Sequence, residues 1–181
     1  MAQTKAAPTT ENPPRAEVAL EYSNLRSNAP PGGCGRFNLN GGSASFAWSF
    51  KPASQFALVG DLTAAHSSGI SSASYDLLLS TYTVGARYRP RLGHSPLEPF
   101  GHLLVGAAHT SGSLVSGPNV ANADVAFATN LGGGLDLRVS QRFSVRLVEA
   151  DYLVTTIDNG GNNHQNSLRL SAGVVLRFGK S

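Results

Sequence analysis

Apolar and polar residues alternate with a period of two along most of the chain, and this pattern limits the possible folds more than any other feature. The stretch 43–50 reads SASFAWSF, which places Phe46 and Trp48 on one side of an extended chain and Ser43 and Ser45 on the other. Such alternation is typical of a β-strand with one apolar face, because successive side chains of a strand point in opposite directions. The pattern predicts an all-β fold.

Eight runs of this kind are separated by segments rich in Gly, Ser, Asn or Pro. They cover residues 16–24, 37–50, 55–66, 74–88, 99–110, 125–139, 143–157 and 166–178. The connections alternate between short or Pro-stiffened turns and looser polar loops, which favours an up-and-down meander of antiparallel strands. We therefore predict one barrel domain over residues 16–178, preceded by a flexible N-terminal lead at 1–15 and followed by a short tail at 179–181.

Two runs break the simple alternation. The fifth, at 99–110, carries apolar residues on both faces, so its facing stays open. In the seventh, Arg146 lies on one face by parity, whereas Glu149 and Asp151 lie on the other. One inserted residue near Leu147–Val148, a β-bulge, would bring the three charged side chains onto one face.

The composition of the polar face favours a membrane barrel over a soluble one. Charged residues make up only 14% of the chain, and the polar face consists mainly of Ser, Ala, Gly and Thr with isolated charges. Small side chains suit the narrow interior of an eight-stranded barrel, and a large apolar outer face suits lipid. We predict an all-β, eight-stranded antiparallel up-and-down transmembrane β-barrel, with a lipocalin-like soluble barrel as the alternative.

Aromatic residues concentrate near the ends of the predicted strands. Those near the short turns are Trp48, Phe50, Phe56, Tyr88, Phe143 and Phe178. Those near the longer loops are Tyr22, Phe37, Tyr75 and Tyr152. Two aromatic belts are expected where a membrane barrel crosses its two interfaces, so we predict that these rings face lipid headgroups.

The last run resembles a known family signal. The sequence SAGVVLRF at 171–178 is similar to the C-terminal assembly signal of bacterial outer-membrane proteins, although that signal usually ends the chain at its aromatic residue. Its defining positions hold Ser171, Gly173, Leu176 and Phe178. Residues 130–153 look like the penultimate hairpin of OmpA-like eight-stranded barrels. The resemblance implies a monomer in the bacterial outer membrane with periplasmic termini, and it implies the lipid bilayer and the outer-membrane assembly machinery as partners.

Charged residues on the inward parity form a nearly balanced set. The acids are Glu17, Glu21, Asp61, Asp136, Glu149 and Asp151, and the bases are Arg87, Arg138, Arg146, Arg169 and Arg177. Because buried charges have to be paired, we predict a salt-bridged plug, with a gated or selective pore as the alternative. In a closed barrel the first and last strands are neighbours, which would bring Glu17 close to Arg177.

No motif in the chain predicts catalysis or metal binding. His66 lies beside Ser67 and His109 lies near Ser111, but neither pair matches a catalytic motif, and the five histidines are too widely spaced to indicate a metal site. A net charge of +3 is too small to suggest nucleic-acid binding. We predict no catalytic residue, cofactor or metal, and a structural scaffold that presents loops. A lipid A-modifying or proteolytic barrel enzyme, or a small channel, is the alternative.

Overall fold

The chain forms eight β-strands in a computed structural model that describes residues 15–28, 36–51, 54–70, 75–92, 95–111, 125–157 and 164–179. The strands are β1 (Ala16–Asn28), β2 (Arg36–Trp48), β3 (Phe56–Ile70), β4 (Tyr75–Tyr88), β5 (Leu97–Ser111), β6 (Ala126–Arg138), β7 (Phe143–Thr155) and β8 (Gln165–Phe178). The described residues contain no helix long and apolar enough to cross a membrane. The predicted lead and tail lie outside them, apart from Arg15 and Gly179.

The strands close into one antiparallel barrel in sequence order. Each strand pairs with the next along the chain, and β1 pairs with β8, so that Ala16 lies opposite Phe178. Closure leaves no unpaired strand edge, which hydrocarbon would not tolerate. The predicted all-β, eight-stranded fold is confirmed. Strands β1 and β3 each continue four residues beyond their predicted ends, toward the long loops, where polar residues on the outer face hide the alternation.

A β-bulge in β7 lies where the alternation predicted it. Leu135 pairs with Val148 but the next residue, Asp136, pairs with Arg146, so Leu147 is the extra residue. The register between β7 and β8 shifts at the same place. Leu147 and Val148 both face outward, and the residues on either side of them, Arg146 and Glu149, both face the interior.

The structure settles the facing of β5. Glu98, Phe100, His102 and Leu104 point inward, whereas Leu103 and Val105 are exposed on the outer wall. The ring of Phe100 fits inside because β6 carries glycines opposite it. A Cβ atom at Gly134 would lie 2.8 Å from Cζ of Phe100.

Most of the predicted aromatic residues lie on the outer wall. Trp48, Phe50, Phe56, Tyr88 and Phe178 are between 42% and 72% exposed at the turn end, and the rings of Phe56 and Tyr88 lie 5.0 Å apart. Tyr22 and Tyr152 are exposed nearer the loop end. The prediction for Phe37 is wrong, because this residue shares the inward parity of Leu39 and packs against buried leucines. The side chain of Tyr75 lies outside the described part of the structure.

Gly173 sits where β8 and β1 approach too closely for a side chain. A Cβ atom there would lie 2.1 Å from the carbonyl oxygen of Leu20 and 2.7 Å from Cα of Glu21. We expect Gly173→Ala to lower the free energy of unfolding by roughly 1–3 kcal/mol, because backbone atoms have to move. Gly60→Ala is the matched control, since nothing lies within 4 Å of its Cβ position. Urea unfolding in lipid vesicles measures both, and equal losses would contradict the close approach at Gly173.

Candidate functional site

The interior of the barrel holds the charged residues that the alternation assigned to it. Ten of the eleven are at most 8% exposed. The eleventh, Arg138, lies at the turn end of β6, where its side chain is 31% exposed and its Nε lies 3.8 Å from Oε1 of Glu98. We call the charged residues of the interior the lumen network.

Near the turn end of the barrel, Glu17 lies within ion-pair distance of three arginines. Arg89 donates to both of its carboxylate oxygens, at 2.5 and 3.0 Å. Nε of Arg177 lies 3.4 Å from Oε1 of Glu17, and the two residues are Cα partners in the β1–β8 register. The predicted approach of Glu17 to Arg177 is confirmed. Arg87 is more distant from Glu17, with its Nη1 3.7 Å from Oε2.

Two members of this region were missed by sequence reasoning. Arg89 follows the last residue of β4, and its guanidinium folds back into the interior, where it also reaches Oδ2 of Asp136 at 3.0 Å. Glu98 accepts hydrogen bonds from both terminal nitrogens of Arg177. The alternation placed both residues in the connection between strands four and five. Glu98 shares the parity of Phe100, but because the facing of the fifth run was open, this parity did not show that Glu98 points inward.

Arg146 lies at the centre of the network. Its Nε donates to Oδ1 of Asp136 at 2.8 Å, and its Nη1 donates to Glu21 at 2.5 Å and to Glu149 at 2.6 Å. The guanidinium carbon also lies 4.4 Å from the centroid of the Phe100 ring. A desolvated cation over an aromatic face adds to the attraction. Arg146 therefore holds carboxylates from β1, β6 and β7 together across the barrel.

Arg169 has the same role closer to the loop end. Its Nε donates to Oδ2 of Asp151 at 2.7 Å, and its Nη1 donates to Oδ1 of Asp61 at 2.8 Å and to the hydroxyl of Thr63. Its Nη2 donates to Oε1 of Glu149 at 3.1 Å. Glu149 thus joins Arg169 to Arg146, and the network runs without a break through the middle of the lumen.

His102 enters the network without a hydrogen bond. Its Nε2 lies 2.9 Å from Oδ1 of Asp151, but the two atoms lack the alignment of a hydrogen bond, and neither ring nitrogen has a hydrogen-bond partner. One donor atom from each of His102, Glu149 and Asp151 lies within 4.8 Å of the others. These three residues have the chemistry to hold a metal ion. The sequence did not predict the group, because it draws on β5, whose facing was open.

Toward the loop end, the lumen is filled by apolar side chains that the alternation did not predict. The cluster of buried residues contains Leu25, Leu39, Ala65, Leu77, Leu79, Ala108, Ala128 and Leu153, with Phe37 and Ile157 packed against it. A layer of serines lies between this leucine cluster and the charges, and the Ser23 hydroxyl lies 2.9 Å from that of Ser43 and 2.8 Å from that of Ser171. The interior is therefore packed at the level of the lumen network and also on its loop-end side.

The Ser–His pairs considered from the sequence lie near the loop end of the barrel, outside the lumen network. His66 is exposed and Ser67 follows it in β3, so their side chains point to opposite faces of the sheet. His109 and Ser111 both face outward near the loop end of β5, away from the interior charges. His164 is exposed before β8, and His94 lies outside the described residues.

Comparison with known proteins identifies the fold. No protein-family model and no curated protein matches the sequence. The crystal structure of Neisserial surface protein A superposes with a TM-score of 0.65 at 17% identity, over 90% of this chain and 97% of that one. Ail, the attachment invasion locus protein of Yersinia pestis, gives 0.60 at 17% identity, over 92% and 99%. The outer membrane protein OprG from Pseudomonas aeruginosa gives 0.62 at 11% identity, over 94% and 98%. The chain therefore has the fold of the eight-stranded outer-membrane β-barrels, the class that the OmpA-like resemblance implied.

Proposed function

We propose that this protein is a monomeric structural scaffold of the bacterial outer membrane, with a plugged lumen, periplasmic termini and four external loops. The observation that carries the proposal is the filled interior, in which the lumen network and the leucine cluster occupy successive levels of the barrel. An eight-stranded barrel has an interior just wide enough for its own side chains. The outer wall carries large exposed apolar residues, as contact with lipid requires.

The pairing of the interior charges supports a role without transport. Arg146 and Arg169 are at most 2% exposed, and both make several charge-assisted contacts. An ion that crossed the barrel would have to break these contacts and then pass the leucine cluster. Catalysis in the lumen would require a substrate to reach the same packed interior. With the lumen closed, the external loops are the surface to which partners bind.

Planar-bilayer recording tests the plug. We expect the refolded wild-type protein to give no steady conductance steps, whereas a porin reconstituted in the same bilayers does. Replacing Leu25 and Leu39 together by glycine shortens the leucine cluster and controls for the ability to detect a partly opened barrel. Reproducible conductance steps of a single size from the wild-type protein would contradict the plugged lumen.

We also propose that the outer-membrane assembly machinery reads the last strand. Phe178 is 52% exposed at the turn end of β8, as is Phe56 of β3 at 61%. Phe178→Ala and Phe56→Ala should lower the free energy of unfolding by similar amounts of roughly 1–3 kcal/mol in vesicles. In cells, Phe178→Ala should reach the outer membrane several-fold less efficiently than Phe56→Ala. Equal yields in outer-membrane fractions would show that residues 171–178 are an ordinary strand.

A further inference from the structure

We propose that the lumen binds one divalent transition-metal ion of the Zn²⁺ class, held by His102, Glu149 and Asp151. One donor atom from each residue lies within 4.8 Å of the other two. The three residues come from β5 and β7, and the barrel brings these strands together across β6. An imidazole with two carboxylates is a donor set that zinc and related ions accept.

Unpartnered polar atoms are the first observation that supports this site. The side chains of His102 and Asp151 are 1% and 0% exposed. Nε2 of His102 and Oδ1 of Asp151 lie 2.9 Å apart without the geometry of a hydrogen bond, and Nδ1 of His102 has no hydrogen-bond partner. Buried polar atoms are nearly always satisfied, so unpartnered atoms in one small cluster indicate a missing ligand. A metal ion would satisfy Nε2 and Oδ1 at the same time.

The charge balance is the second observation. Four carboxylates in this half of the network contact only two guanidiniums. The carboxylates belong to Glu21, Asp61, Glu149 and Asp151, and the guanidiniums belong to Arg146 and Arg169. Arg146 is also shared with Asp136. The other three interior carboxylates, of Glu17, Glu98 and Asp136, share four more guanidiniums, those of Arg87, Arg89, Arg138 and Arg177. Seven carboxylates therefore face six guanidiniums, so with His102 neutral one negative charge remains uncompensated, and a divalent cation bound here supplies positive charge.

The surroundings of the three donors fit a metal ion. Arg169 binds Oδ2 of Asp151 through Nε and leaves Oδ1 facing His102. Hydrogen bonds to the far oxygen of a ligating carboxylate orient it toward the metal. Gly132 makes room for the same oxygen, because a Cβ atom there would lie 1.8 Å from Oδ1. Ligand bonds of about 2.1 Å in the tetrahedral geometry of zinc place donors about 3.4 Å apart. The farthest pair of donors, at most 4.8 Å apart, therefore has to close by up to about 1.4 Å.

The packed interior determines how the ion enters. The leucine cluster covers the site on the loop side, and the arginines around Glu17 cover it on the turn side. We therefore expect the metal to be captured during folding and then to exchange slowly. Metal retention is measured independently of conductance, so the metal site and the plugged lumen are tested separately.

The test is metal retention after refolding. Untagged protein is refolded into detergent with Zn²⁺ or with EDTA, desalted, and analysed for zinc by mass spectrometry. We expect about one zinc per wild-type chain after refolding with Zn²⁺, a raised thermal midpoint relative to the EDTA sample, and at least tenfold less zinc in His102→Gln. His66→Gln is the control, because His66 is exposed on β3, and it should retain zinc as the wild type does.

A second measurement uses only the wild-type chain, in case His102→Gln does not fold. Refolding with Co²⁺ should give the visible absorption bands of a low-symmetry site with nitrogen and oxygen donors, and these bands should persist after desalting. Wild-type protein that is folded but retains neither zinc nor cobalt would overturn the proposal and assign the missing charge to protons. Zinc retained equally by His102→Gln would also overturn it, since the ion would then lie elsewhere.

Discussion

Arg146→Met is expected to lower the free energy of unfolding by about 3–5 kcal/mol, because it leaves three buried carboxylates without their shared cation. Arg146 is 1% exposed and contacts Glu21, Asp136 and Glu149. Methionine has a comparable length, so the loss reports on charge more than on volume. Urea unfolding in lipid vesicles, followed by the shift between folded and unfolded bands in an unboiled gel, measures the change.

The control for this prediction applies the same substitution to a different environment. Arg26 lies exposed on the outer face of β1 near the loop end, and Arg26→Met should change stability by at most about 0.5 kcal/mol. Combining Arg146→Met with Glu149→Gln should recover part of the loss, because one uncompensated charge is removed. A loss under about 1 kcal/mol for Arg146→Met would show that the lumen network is hydrated instead of buried.

Val174→Arg is expected to destabilise the inserted barrel by about 2–4 kcal/mol, because it places a charge on the lipid-facing wall near the bilayer midplane. Val174 points outward from β8, opposite Leu20 of β1 and Val145 of β7. Val139→Arg is the matched control, since Val139 is 61% exposed just beyond the turn end of β6. There the cost should fall to about 0–1 kcal/mol. Equal costs at the two positions, measured by unfolding in vesicles, would rule out a membrane-depth effect.

Alternation made the fold predictable because it reports a local property of each strand. The residues of a strand point alternately in and out whatever the neighbouring strands do, so Asp61, Arg169 and Arg177 could be placed inside without knowing the register. The bulge at Leu147–Val148 was also predictable, because Arg146 and Glu149 could face the same side only if one residue was added. The approach of Glu17 to Arg177 followed from closure of the barrel together with the position of both residues at the same end of the first and last strands.

The parts that were missed depend on partners distant in the sequence. Phe100 and His102 face inward because the glycines of β6 leave space opposite them, and this space is visible only after β5 and β6 are paired. Arg89 lies beyond the last residue of β4, where parity no longer applies, and only its contact with Glu17 places it in the interior. The leucine cluster was missed because apolar residues occupy both faces at places such as 77–79 of β4, which reads LLL, so alternation does not show which leucines point inward.

The most direct test of the central claim, a barrel whose apolar outer wall contacts lipid, uses the single tryptophan of the chain. Trp48 is 42% exposed at the turn end of β2, in the belt with Phe50 and Phe56. In vesicles of lipids brominated at defined depths, we predict that its fluorescence is quenched, most strongly by bromines near the interface. The account is contradicted if the folded chain stays monodisperse in buffer without detergent and Trp48 emission does not respond to brominated lipid at any depth.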